Sequence, residues 1–157
     1  MEISGEMHLA VSPGLAFSGL LDPGVLSRSI PGLKSFTALG EGRYQLVTEL
    51  GVAGVGGRYQ GTLEVVEAKP PESMRLVLEL TGGPGSVSAT IAVTLAADNA
   101  GSELSYQGQS EVGGKLAGIG QRLLDGVART LERQFMARLS TELAGWVRDR
   151  DQGRTSS

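Results

Sequence analysis

One histidine, no cysteine and seventeen carboxylates are the side chains from which this chain would have to build a catalytic centre. A Ser-His-Asp relay or an imidazole base needs its histidine beside the reacting group, and an imidazole-bound metal needs several ligands together. His8 stands alone, on the solvent parity of an alternating segment. Without cysteine there is no thiolate nucleophile, no disulfide framework and no thiolate-held zinc or iron–sulfur cluster. Nearly all Asp and Glu residues of the strand-like segments take the solvent parity, so no buried carboxylate pair is legible. GVAGVGG, residues 51–57, lacks the glycine spacing and following helix of a dinucleotide loop. Lys115 follows two glycines, but Leu116 stands where a phosphate loop needs Ser or Thr. The residues therefore assign neither a catalytic group nor a metal ligand.

Three other sets remain. Tyr44, Tyr59 and Tyr106 share the inward parity, either as core or, in a curled sheet, as hydroxyls offered to a ligand carbonyl. Gly118, Gly120 and Gly126 fall inside a segment of helical period, where each costs roughly 0.5–1 kcal/mol relative to alanine. Close packing is one reason to keep them and room for a flat ligand is another; Gly120 is expected to face the sheet and Gly126 to lie well off that stripe. Lys115, Arg122, Arg129 and Arg133 fall within roughly 40° of one another on the same helix. They form either a solvated face supported by an Asp125–Arg129 pair or a docking surface for an acidic partner or anionic lipid headgroups.

The elements that must position these groups follow from period and punctuation. With 157 residues the chain suits one domain, residues 1–145, followed by a polar tail, 146–157. Net charge −3 and seven aromatic residues lack the basic, aromatic-interleaved footprint of a nucleic-acid binder. No basic, then apolar, leader opens the sequence and no stretch suits a membrane span, so a cytoplasmic location is expected. Alternation from Ile3 to Val11 predicts a half-buried strand. Ser12-Pro13 and Asp22-Pro23 each supply an N-cap and a first-turn proline, predicting two short helices. Period two then runs to Val112, with breaks at 40–42, 51–57, 70–71, 82–85 and 98–101, predicting six more strands. Leu116, Ile119, Leu123, Val127, Leu131, Phe135, Leu139 and Leu143 mark a long helix from about Gly113 to Gly145. The loop at 51–57 is either a mobile hairpin or a lid. One helix is about 10 Å wide and cannot cover a seven-stranded antiparallel sheet, so the sheet must curl round it and leave a pocket. The expected fold class is α+β.

This order resembles the helix-grip fold of the START-like, polyketide-cyclase-like (SRPBCC) superfamily. LDPGVLSRSIPGL (Leu21 to Leu33), LGVAGVGGRYQGTLEV (Leu50 to Val65) and VGGKLAGIGQRLLDGVARTL (Val112 to Leu131), with Phe135 beyond, are similar to the carbon monoxide dehydrogenase G-subunit (CoxG) family. The resemblance implies a non-catalytic bacterial accessory protein of molybdenum hydroxylase systems, with no cofactor of its own beyond a bound quinone or lipid. It implies molybdenum-containing dehydrogenase subunits as partners and a link to the membrane quinone pool. Some longer relatives carry a hydrophobic C-terminal anchor, for which VRDRDQGRTSS is too polar. The expected lining of the pocket is Phe17, Ile30, Phe36, Tyr44, Tyr59, Leu78, Tyr106, Leu116, Ile119, Gly120, Leu123 and Val127. Lys115, Arg122, Arg129 and Arg133 are the candidate partner or membrane surface. The alternatives are an assembly factor without ligand and a cyclase- or hydrolase-type enzyme on the same fold.

Overall fold

A computed structural model describes residues 1–52 and 54–151. The chain runs β1 (Glu2–Leu9), α1 (Pro13–Leu20), α2 (Pro23–Ser29), β2 (Leu33–Gly40), β3 (Arg43–Leu50), β4 (Gly57–Lys69), β5 (Ser73–Gly82), β6 (Gly85–Asp98) and β7 (Gly101–Gly113). A 3-10 turn (Gly114–Gly118) then leads into α3 (Gln121–Asp151). The two short helices begin where their caps direct: Ser12 Oγ accepts from the Leu15 amide and Asp22 Oδ2 from the Val25 amide. Burial alternates residue by residue along β1, the signature of a strand with one wet face.

The seven strands form one antiparallel sheet in the order β1-β7-β6-β5-β4-β3-β2, so the first strand closes against the last. Two glycines on the inward face let neighbouring strands approach: a Cβ on Gly61 would collide with the Glu79 carbonyl oxygen, and one on Gly108 with that of Thr90. The sheet's concave face carries two separate apolar clusters. One joins Phe17, Leu20 and Val25 of the short helices to Met74, Val93 and Leu104 of the sheet and to Leu139 and Leu143 of α3. The other gathers Val55, Tyr59, Leu116, Leu124 and Val127.

The final helix differs from expectation. Strand β7 persists to Gly113, Gly114 adopts φ +68°, and the 3-10 turn seats Leu116, whose amide donates to the Pro84 carbonyl at 3.0 Å. Glycine-rich sequence is a poor helix former, and the chain uses 113–120 to turn a corner instead. Gly118 and Gly120 consequently lie outside α3, and Gly120 contributes the carbonyl that accepts the first helical amide bonds, from Leu123 and Leu124. Within α3, Leu124 is buried and Leu123 about half exposed, against the expected assignment of Leu123 to the inward stripe. At the other end Gly145 does not stop the helix, because Trp146 and Val147 still pack on the first cluster and hold it to Asp151. Of the expected polar tail, residues 152–157 lie outside the described residues, as does Ala53 of the 51–57 loop. Asp125 accepts from Gln121 Nε2 at 2.8 Å, and Arg129 makes no ion pair with it.

Candidate functional site

Between the two clusters a cross-strand row runs Tyr44, Leu63, Leu78, Ala89, Ser110, each paired with the next across the sheet. Leu63 and Ala89 are buried, Leu78 is half-buried, and none of the three belongs to either cluster. The inward positions in and beside this row are small: Gly61, Ala89, Gly108 and Ser110. Small side chains at these positions fill little of the space on the concave side of a curled sheet. The helix backbone makes its closest approaches to α2, α1 and β1 and keeps farther from the central strands. Two ties fix it over the short helices: Arg28 Nε to Glu142 Oε2 at 2.6 Å and Arg138 Nη1 to the Ile30 carbonyl at 3.5 Å.

An opening, called the mouth below, lies at the start of α3. A cavity of about 400 Å³ is lined there by Gly54, Gly83, Pro84, Lys115, Leu116 and Ile119. Leu123 stands beside it, its Cδ2 3.0 Å from where a Cβ on Gly54 would be. A larger depression of about 530 Å³ lies on the other side of the sheet, lined mainly by the outward Ser4, Glu6, Ala92, Thr94, Ser105 and Gln107. Gly5 and Tyr106 complete its lining, and no residue of α3 takes part.

The expected lining residues separate into groups. Leu116 and Ile119 reach the mouth, with Tyr59 and Val127 behind them in the second cluster. Leu78 lies in the row between the clusters, and Phe17 is 3% exposed in the first, sealed under α1. Ile30 caps α2, while Phe36 stacks on Tyr44 near the β2 edge, ring centroids 4.8 Å apart. Gly120 is exposed with open space beside it, and so does not face the sheet as expected.

The three tyrosines serve three different ends. Tyr59 hydroxyl donates to the Val55 carbonyl at 2.7 Å, pinning the 51–57 loop down with Val55 buried, so it is not offered to a ligand. Tyr44 is 7% exposed; burial, and then the charge of Asp22, push its phenol above the usual range. Tyr106 lies flat over Gly5, its Cζ 2.6 Å from where a Gly5 Cβ would stand, and extends to the carboxyl of Glu132. Burial and the Glu132 charge both raise this phenol.

Glu132 is the residue that strand parity could not find. On α3 it falls within about 20° of Leu139 and Leu143 at 100° per residue, both 1% exposed or less. A carboxylate in an apolar helical stripe was the available signal. Its Oε1 is closed to solvent and has no hydrogen-bond partner. Burial raises the carboxyl above the usual range, outweighing Tyr106 and Arg129, which favour the charged form.

Lys115, Arg122, Arg129 and Arg133 are all exposed, but Lys115 sits on the 3-10 turn, so only the three arginines share a helix. Among the described residues none of the four pairs with a carboxylate within 4 Å. His8 is half exposed on the outer face, with Nδ1 2.9 Å from Asp98 Oδ2. No group of three or more His, Asp or Glu able to hold a metal occurs among the described residues, and none of their helices is long and apolar enough to cross a membrane.

The family model for the carbon monoxide dehydrogenase G-subunit (CoxG) matches residues 5–144. No curated protein matches the chain significantly. Among solved structures, a conserved protein from Geobacillus kaustophilus is 37% identical, with 92% of this chain and 96% of that one covered and a TM-score of 0.87. TTHA0849 from Thermus thermophilus is 14% identical over 92% of this chain and 98% of that one, with a TM-score of 0.73. Ms6760 from Mycobacterium smegmatis is 15% identical over 92% and 91%, with a TM-score of 0.68; these last two share the fold.

Proposed function

The chain belongs to the carbon monoxide dehydrogenase G-subunit (CoxG) family, and from that premise we propose that it is a non-catalytic accessory protein of a molybdenum-containing dehydrogenase. In this reading it holds an apolar, quinone- or lipid-like molecule between sheet and helix and works in the cytoplasm beside the membrane quinone pool. The supporting observation is the interruption of the core. Small and half-buried residues (Gly61, Leu78, Ala89, Gly108) separate the two clusters under a helix that keeps away from the central strands. A packed domain would fill that space to crystal-like density. The residues there fit a flat apolar molecule, with Tyr106 and Glu132 as its polar contacts and Leu116 and Ile119 at the way in.

Thermal unfolding with increasing 2,3-dimethyl-1,4-naphthoquinone tests this reading. A ligand that binds only the native state should raise Tm steadily with concentration, and a Leu78→Trp variant, which fills the hollow, should abolish the rise. No shift of the unmodified protein at saturating quinone would sink it. The unpaired arginines favour, as a second role, docking of an acidic partner surface. Replacing Arg122, Arg129 and Arg133 together by Gln should weaken capture of the dehydrogenase without changing the quinone-induced Tm shift.

A further inference from the structure

We propose that Glu132 receives a hydrogen bond from a hydroxyl on the bound apolar molecule, so that the site prefers ligands that donate over ligands of the same shape that only accept. The inference rests on the reading that the hollow between sheet and helix holds such a ligand. Glu132 is flanked along its helix by Ala128, Phe135, Met136 and Leu139, of which Phe135, Met136 and Leu139 pack on the first cluster. An ionised carboxylate only accepts, with room for about four hydrogen bonds. Tyr106 is the hydroxyl beside it and has one proton to give. Oε1 is left without a donor and without solvent. Buried polar atoms are almost always satisfied, so an orphan one calls for a partner. Arg129, the nearest cation, is exposed on the neighbouring face. In this proposal the donor enters from the hollow, and since leucine, alanine and glycine dominate its lining, the donor is a hydroxyl on an otherwise apolar molecule. An ammonium group would be poorly solvated by the leucine and alanine side chains around it.

A hydroquinone and its quinone are the cleanest test pair, because they share one carbon skeleton and differ in having two O–H donors or none. Anaerobic fluorescence titrations would compare 2,3-dimethyl-1,4-naphthoquinone with its dithionite-reduced form. The unmodified protein should bind the hydroquinone about tenfold or more tightly than the quinone, since a site with an unpaired acceptor discriminates against the analogue that lacks the donor. Glu132→Leu should bring the two affinities within about threefold of each other. Should that variant not fold, Glu132→Gln serves: its amide N–H can donate to the quinone carbonyl, so the ratio should narrow. Equal affinities in the unmodified protein, or a preference that survives substitution of Glu132, would overturn the proposal while leaving an apolar-ligand site intact. Binding of neither form would overturn the apolar-ligand reading itself.

Discussion

Among the described residues, Oε1 of Glu132 is the buried side-chain polar atom without a hydrogen-bond partner, and its energetics can be read without any ligand. Burial raises the carboxyl's pKa in the folded state above the unfolded value near 4.3. The folded state thus holds this proton more firmly than the unfolded state. The resulting stability is fully present below the unfolded pKa and is lost as pH rises through the folded pKa. Glu132→Gln keeps the shape and removes the titration. At pH 7 its denaturant midpoint should exceed that of the unmodified protein, by about 1 kcal/mol at most once solvent screening of a half-buried group is allowed for. Below about pH 4 the two should converge. A difference independent of pH between 4 and 8 would mean that Glu132 does not sense burial. Gly5 matters at the same scale, because any side chain there displaces the Tyr106 ring that reaches this carboxyl. Gly5→Ala should reduce the hydroquinone preference as well as stability, whereas a variant with the preference intact would separate Tyr106 from the site.

At the level of elements, the glycines divide by what surrounds them. A Cβ on Gly19 of α1 would strike Leu143 of α3 and crowd Trp146 at 3.2 Å, so this is where helix meets helix. Gly126, inside α3, has nothing within 4 Å of the same point. Gly19→Ala should therefore cost about 1–3 kcal/mol through overpacking. Gly126→Ala should gain about 0.5–1 kcal/mol through helix propensity. Chemical denaturation of both variants decides it, and a neutral Gly19→Ala would show that α1 is free to slide on α3. The expectation that the glycines before Gln121 lie inside a continuous helix, kept there by close packing or by room for a ligand, fails for a local reason. Gly118 and Gly120 belong to the turn that redirects the chain, and the penalty they would have carried in a helix never arises.

For the whole molecule, what matters is that the core is divided. The first cluster binds α1, α2 and the C-terminal half of α3 to one end of the sheet, and the second binds the start of α3 and the 51–57 loop to the other. Local openings draw on the regions with the fewest buried apolar contacts, here the mouth rather than the α1–α3 end. Amide exchange should accordingly be faster at residues 114–120 than at Leu139–Leu143, and bound naphthoquinone should slow it selectively at the mouth. Uniform protection throughout α3 would instead point to ligand binding on its outer face. The unpaired arginines on that outer face and the proposed ligand site beneath the helix are thus separable features of one element.

Most of the architecture was legible because it depends on local chemistry. The caps at Ser12 and Asp22, the period of two, the glycine and proline breaks, and the width of one helix against seven strands led directly to a curled antiparallel sheet with two short helices and one long one. The inward parity of Tyr44, Tyr59 and Tyr106 was legible for the same reason. Their separate fates were not, because Val55, Phe36 and Gly5 become their neighbours only through cross-strand pairing and loop closure. Leu123 falls off the inward stripe because Leu116 and Ile119, with which its phase was read, lie on the turn and not on α3, where Leu116 seats against Pro84, more than thirty residues away along the chain. Glu132 shows the division most clearly. Its place in the apolar stripe could be read from spacing, but that its carboxyl would lack a donor depends on the sheet placing Tyr106, and no second hydroxyl, opposite it. Periodicity follows from backbone geometry, which every residue carries with it; the satisfaction of a buried polar atom depends on residues that only the tertiary fold brings near.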